Sequence, residues 1–205
     1  MTNWEKDKDK LKSWGILPID NVPDKILNFL KTGHTKNNHN NKLAGQIKDE
    51  FEYDKRPEYF DNFILQKTND SFIKAQTNSI SILSSSRPFY VEQLWINYQK
   101  KYEFNPMHTH SGLYSFIIFL NIPYNLKDED EYFPKTSNSE PVASRLFFIL
   151  NDPLGNIQAI SANVDKSFEN KMLMFSSKMN HMVYPFYTSD EERITVSGNI
   201  SFWVD

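Results

Sequence analysis

After residue 85 the spacing of apolar residues drops from about 3.6 to about 2, from the period of a helix to that of a strand. That switch constrains the fold of this 205-residue sequence more than any other feature. Beyond it come RPFYVEQLWINYQKKYEF, LYSFIIFLNIP, SRLFFILND, NIQAISANV, NKMLMFSS, HMVYPFY and ERITVSGNISFWV, all of strand character. Pro123 ends the second run, and DPLG between the third and fourth reads as the turn of a hairpin. Before the switch, IDNVPDKILNFLKTG carries helix signals, with Asp20 or Asn21 as cap, Pro23 in the first turn and Gly33 as the stop. A second helix is expected in PEYFDNFILQKTNDSFIKAQTNSI, where Phe60, Phe63, Ile64, Phe72 and Ile73 fall at helical spacing. Residues 1–12 alternate Lys with Asp or Glu and are expected to be a solvated, frayed end. The pattern predicts a mainly β sandwich or barrel with N-terminal helices packed on one face. A helical and extended segment at 1–85 would lie against a core at 86–205, as one compact domain.

Composition removes several function classes. With 23 basic and 26 acidic residues, the chain has no strong nucleic-acid signal. It has no Cys, so a thiol nucleophile, a disulfide frame and a thiolate metal site are all excluded. A metal must then use His, Asp or Glu, ligands that suit iron, manganese or zinc. No apolar run reaches 18 residues, so no membrane span is expected, and MTNWEKDKDKLK lacks the apolar core of a signal peptide. A cytoplasmic location is the expectation. Abundant Asn, Lys, Ile and Phe with few Gly suggest AT-rich coding, as in many phages, so the setting would include a phage-infected bacterial cell. Nothing fixes the oligomeric state.

The sequence has 5 His, and two of them stand two apart in NPMHTHSGLYSFIIFLN. On extended chain, residues i and i+2 point the same way, so His108 and His110 can aim at one point. Pro106 favours extended structure before it. A third ligand has to come from elsewhere. His181, 71 residues beyond His110, lies between two strand-like runs that a jelly roll could bring alongside. Three neutral imidazoles would hold a divalent transition metal and leave positions open. His34 and His39 sit in the polar stretch HTKNNHNNK, which offers no scaffold for ligation. The last strand adds a second feature. Arg193, Thr195, Ser197 and Asn199 share one face, and Ile194, Val196, Ile200 and Phe202 the other. The polar face is either the solvent side of an edge strand or the wall of a cavity, where Arg193 would grip a carboxylate in bidentate fashion. Phe147 and Phe148 read as core. Asp128, Glu129, Asp130 and Glu131 read as a solvated loop.

Taken in order, these segments resemble the iron(II)- and 2-oxoglutarate-dependent oxygenases, in particular the phage and marine-bacterial group related to the prolyl hydroxylases. WINYQKKYEFNPMHTHSGLYSFIIFLNIP is similar to the first half of that catalytic core; MLMFSSKMNHMVYPF followed by ERITVSGNISF is similar to the second. The likeness covers about residues 88 to 203. It implies a double-stranded β-helix of the jelly-roll, cupin-like kind, with Fe(II), 2-oxoglutarate and O2 as cofactor and co-substrates.

Carried over residue by residue, the resemblance makes His108 and His181 metal ligands. Arg193 becomes the base that grips the far carboxylate of 2-oxoglutarate, with Thr195 beside it. Tyr98, ten residues before His108, is matched to a tyrosine directed at the co-substrate. Phe119 replaces a tyrosine that touches 2-oxoglutarate and so loses that contact, and Asn97 and Asn199 complete the expected pocket. The departure is His110, which stands where the family carries a carboxylate. Two readings stand: His110 is a third ligand, or it turns away. A neutral triad would hold iron less tightly, and affinity would fall as pH drops towards about 6, where free imidazoles protonate. The implied activity is hydroxylation of a peptide or small-molecule prime substrate. A three-histidine cupin-like dioxygenase that does not use 2-oxoglutarate, and a non-catalytic jelly-roll binding protein of a phage, are the alternatives.

Overall fold

The computed structural model describes residues 1–35, 37–70, 89–133, 140–152 and 154–202. Their strands form two antiparallel sheets. The larger has six strands, in the order β1 (Leu17–Ile19), β8 (Met172–Ser176), β5 (Tyr114–Asn121), β10 (Arg193–Phe202), β3 (Phe89–Gln99) and β2 (Asp49–Glu52). The smaller orders β4 (Asn105–His108), β9 (Asn180–Val183), β6 (Leu146–Asn151) and β7 (Ile157–Ala162). Most neighbours come from distant parts of the chain; only β6 and β7 make a local hairpin. This is the mainly β, double-stranded β-helix fold that the sequence led us to expect. Both edge strands of the larger sheet, β1 and β2, are contributed by the N-terminal 85 residues.

Why β5 is almost uniformly apolar follows from what covers it. Phe116, Ile118 and Leu120 enter a core shared with α2 (Asp24–Thr32) and α3 (Glu58–Thr68), through Ile26, Leu27, Leu30, Phe60 and Ile64. Ile117 and Phe119 turn the other way, into a second core between the two sheets with Phe148, Phe175 and Val183. A strand buried on both faces cannot alternate apolar with polar. β8 repeats the pattern, Met172 and Met174 facing the helices and Leu173 and Phe175 the sheet interior.

Three expectations change. First, residues 1–12 are not frayed: α1 (Asn3–Ser13) starts at a Thr2 cap, whose hydroxyl accepts from the Glu5 amide at 3.2 Å. Its Trp4 and Leu11 are fully buried, and Trp4 meets Phe168 edge-on at 5.0 Å. Asp7, between them on the same helix face, is buried and accepts from the Asn163 amide at 2.6 Å. One apolar stripe under a charged surface was enough to dock the helix, and it docks on the sheet-interior core rather than beside α2 and α3. Second, α2 begins directly after Pro23, and neither Asp20 nor Asn21 caps it. Third, the acidic run is α4 (Leu126–Tyr132), and its Glu129 is buried, accepting from the Tyr187 and Thr188 amides at 2.9 and 2.8 Å. The part of the second helix expected at Phe72 and Ile73 lies outside the described residues, as does Pro153 of the hairpin turn.

The anchoring role of α1 can be measured. Trp4→Ala should lower unfolding free energy by about 3–5 kcal/mol, the usual cost of removing a large buried aromatic. Urea denaturation should read this as a lower midpoint with unchanged slope; a change under about 1 kcal/mol would mean that α1 is not docked.

Candidate functional site

Register brings the first two histidines together. β4 pairs with β9 so that His108 stands directly opposite His181. His110 lies beyond the end of β4, so strand alternation does not aim it. Its amide donates to the Ser177 carbonyl at 2.9 Å, and Gly112, at φ +74°, then turns the chain back into β5. A Cβ at Gly112 would sit 2.6 Å from the Ile200 carbonyl, so only glycine fits this turn. The rings of His108, His110 and His181 come within 4.3 to 4.9 Å of one another, centroid to centroid.

The ring nitrogens point inwards for a reason. The Nδ1 atoms of His108 and His181 lie 2.7 and 3.0 Å from the carbonyls of Pro106 and Met179. A carbonyl only accepts, so each Nδ1 carries the proton and each Nε2 offers its lone pair. The Nε2 atoms of His110 and His181 are 3.1 Å apart. Two nitrogens at right angles about one ion, each about 2.1 Å from it, would be ~3 Å apart. All three potential ligand atoms lie within 4.8 Å of one another. Burial lowers the pKa of all three imidazoles, His110 to about 3 and His181 to about 4; repulsion from neighbouring imidazoles adds to it for His110 and His181. The cluster is therefore neutral at pH 7 and ready to donate to a cation. The other two histidines are elsewhere and engaged: His34 Nε2 meets the Tyr98 hydroxyl at 3.0 Å, and His39 pairs with Glu52 at 2.9 Å.

The cluster opens into a cavity of about 330 Å³ between the sheets. One wall is the polar face of β10, so Arg193, Thr195, Ser197 and Asn199 line a cavity rather than face solvent. Arg193 is 3% exposed. Its Nη1 donates to the Tyr124 hydroxyl at 3.0 Å and the Ser144 carbonyl at 2.9 Å, while its Nε is buried with no partner among the described residues. Thr195 accepts from Asn97 Nδ2 at 3.3 Å, and Phe119, its register partner, is also in the wall. Asn199 is held by Ser115 at 2.8 Å and Gln93 at 3.0 Å.

Tyr98 does not line the cavity. On β3 the residues facing inwards are Trp95, Asn97 and Gln99, so alternation turns Tyr98 towards the helix-side core. The odd-numbered Trp95, Asn97 and Gln99 carry that signal in the sequence. Tyr124, Ser144 and Glu50 were not anticipated. Tyr124 sits just past β5, in a loop whose path no local pattern gives, and Glu50 comes from a four-residue strand.

A search of curated protein sequences returned no match. A family model described as "Putative 2OG-Fe(II) oxygenase" matches residues 93–199, a stretch that holds all three clustered histidines and Arg193. A prolyl-4-hydroxylase from Pseudomonas putida superimposes with a TM-score of 0.52 at 13% identity, covering 97% of this chain and 98% of that one. A structure described as OsALKBH1 gives a TM-score of 0.50 at 10% identity, covering 90% and 96%. At such identities the likeness concerns the fold.

The depressed imidazole pKa values have a measurable sign. In the unfolded chain these groups titrate near 6.5. Between there and about pH 4 the unfolded state binds more protons, so metal-free stability falls as pH drops through that window. Glu50, whose pKa is raised to about 7, acts in the opposite sense, so a paired comparison isolates the histidine. Urea melts at pH 7 and 5 should show a larger acid loss for wild type than for His110→Asn, up to about 1.4 kcal/mol per pH unit. Equal losses would show that His110 is not buried as the neutral form.

Proposed function

This chain belongs to the 2OG-Fe(II) oxygenase family, and on that premise we propose that it hydroxylates a peptide or small-molecule prime substrate with Fe(II) held by His108, His110 and His181. One observation carries the reading: a partly buried imidazole cluster and a buried guanidinium whose Nε is unpaired among the described residues line the same cavity. His110 packs against Trp95 at 5.5 Å, and Gln99, four positions further along β3, is the register partner of Arg193. Four strand residues span ~13 Å. A short dicarboxylate would lie between an ion at one end and the arginine at the other.

In this family Fe(II), 2-oxoglutarate and O2 supply the chemistry: one oxygen atom goes to the prime substrate and the other to succinate, with loss of CO2. The protein's own residues do the rest. The Pro106 and Met179 carbonyls fix the histidine tautomers, so no proton has to leave before a metal binds. The Arg193 Nε offers a donor that no other described residue uses. A carboxylate there gains a charge-assisted bond, with the Tyr124 hydroxyl alongside. Phe119 supplies an apolar wall. Thr195, supported by Asn97, is a second polar contact. The apolar residues behind the cluster, among them Phe175 at 4.9 Å from His181, keep bulk water out and strengthen each of these bonds. We place Tyr98 outside this group.

Calorimetric titration with Mn(II) and 2-oxoglutarate under anaerobic conditions tests the assignment. His108→Ala and His181→Ala should abolish metal binding while the fold remains; wild-type affinity in either would remove that residue from the site. His110→Ala should weaken binding, and His110→Asp should retain it. Because burial holds the free imidazoles neutral, metal affinity should stay nearly flat from pH 7.5 to 6, where unperturbed imidazoles would lose it. Arg193→Leu should weaken 2-oxoglutarate binding by about 1.5–3 kcal/mol. Arg193→Lys should recover only part of that, because a lysine lacks the fork. Unchanged co-substrate affinity in the leucine variant would put the anion site elsewhere.

A further inference from the structure

One wall of the cavity is acidic, and the scheme above leaves it unused. Glu50, on β2, is 1% exposed and is the only carboxylate among the described residues that line the cavity. It lies outside the stretch matched by the family model. Its Oε2 has no hydrogen-bond partner. Its register partner on β3 is Asn97, whose Oδ1 is also buried and unpartnered while its Nδ2 is spent on Thr195. Directly opposed side chains on paired strands have Cβ atoms about 5 Å apart. Two acceptors thus face one corner of the cavity, and no donor among the described residues serves either of them. The approach is tight: a Cβ on Gly45 would stand 2.8 Å from Glu50 Oε1, so the chain at Lys42, Leu43 and Ala44 passes close over this corner.

The missing partner is a donor, and the carboxyl makes a charged donor the best match. A neutral N–H would satisfy Asn97 but would leave a lone buried carboxylate, which is costly. Without a partner, burial, then the nearby Glu103, pushes the Glu50 carboxyl up to about 7. The nearby Arg193 guanidinium is directed elsewhere, its Nη1 donating to Tyr124 and Ser144. Lys42 lines the cavity without pairing with Glu50. We propose that Glu50 and Asn97 form a subsite for a cationic nitrogen, an ammonium or guanidinium group, of the prime substrate. This deepens the oxygenase reading and rests on it. The metal and Arg193 hold the co-substrate, and the Glu50 corner selects a substrate that carries a basic side chain or amine.

The test uses zinc-loaded protein with 2-oxoglutarate, zinc serving as a diamagnetic stand-in for iron. The probes are N-acetyl-arginine methylamide and N-acetyl-lysine methylamide, each against its uncharged counterpart, built on citrulline or norleucine. Amide shifts are followed by NMR. In wild type at least one cationic probe should bind at least tenfold tighter than its counterpart and shift Gly45, Glu50 and Asn97. Glu50→Gln, which keeps shape and removes charge, should erase that preference and leave 2-oxoglutarate affinity within about twofold. The proposal is overturned if neither cation outcompetes its counterpart, if Glu50→Gln keeps the preference, or if that variant loses 2-oxoglutarate as well. Calorimetry on the same samples separates the two readings: wild type that takes no 2-oxoglutarate contradicts the oxygenase assignment, whereas the cation preference is still read from the probe shifts.

Discussion

Both faces of β10 are covered, and most of the site depends on that. Its helix-side residues, Ile194, Val196 and Ile200, complete a core with α2 and α3. The opposite face then has no route to bulk water except through the cavity, and it carries Arg193, Thr195, Ser197 and Asn199. A buried donor without a partner costs roughly 1–3 kcal/mol. Arg193 Nε is such a donor, and Asn97 Oδ1 and Glu50 Oε2 are unpartnered acceptors in the same cavity. Thr195 and Asn199, by contrast, have protein partners and need no ligand. The distinction sorts the polar wall into atoms that support the scaffold and atoms held for something else.

The close packing that makes the cavity also limits what can change around it. Gly198 sits on β10 where a Cβ would come within 2.4 Å of the Phe116 ring and 2.7 Å of the Gln93 carbonyl. Any larger residue there would push β10 from β3 and move Arg193 relative to the histidines. The histidines depend on different supports. His108 and His181 are set by strand pairing and by carbonyls two residues before each of them. His110 is set by a loop, a glycine turn and the Ser177 carbonyl, so it is the ligand candidate with the most freedom to adjust when an ion or co-substrate arrives.

Much of this was legible in the sequence because period-2 alternation survives wherever one face of a strand is polar. β10 announced its two faces, and H-x-H with a distant histidine located the cluster. What failed did so for identifiable reasons. Strand alternation was the wrong argument for His110, which is aimed by a turn. Tyr98 was matched by family position although its neighbours Asn97 and Gln99 already occupied the inward face. The first 12 residues looked solvated because Lys, Asp and Glu outnumber Trp4 and Leu11, yet those two residues lie seven apart on one side of a helix and dock it. Glu129 and Glu50 are acidic residues in acidic surroundings; only long-range pairing, with Tyr187 and Thr188 for one and β3 for the other, buries them. Tertiary contacts of that kind leave no local period to read.

The account turns on one cavity being two-ended, with an ion at the imidazoles and a carboxylate at Arg193. A crystal structure of the protein grown with Mn(II) and N-oxalylglycine, an unreactive analogue of 2-oxoglutarate, tests this most directly. The account predicts manganese bonded to Nε2 of His108 and His181 and to His110, with the far carboxylate of the analogue on Arg193 Nε. Manganese bound away from the three histidines, or a carboxylate that leaves Arg193 Nε unpaired, would contradict it.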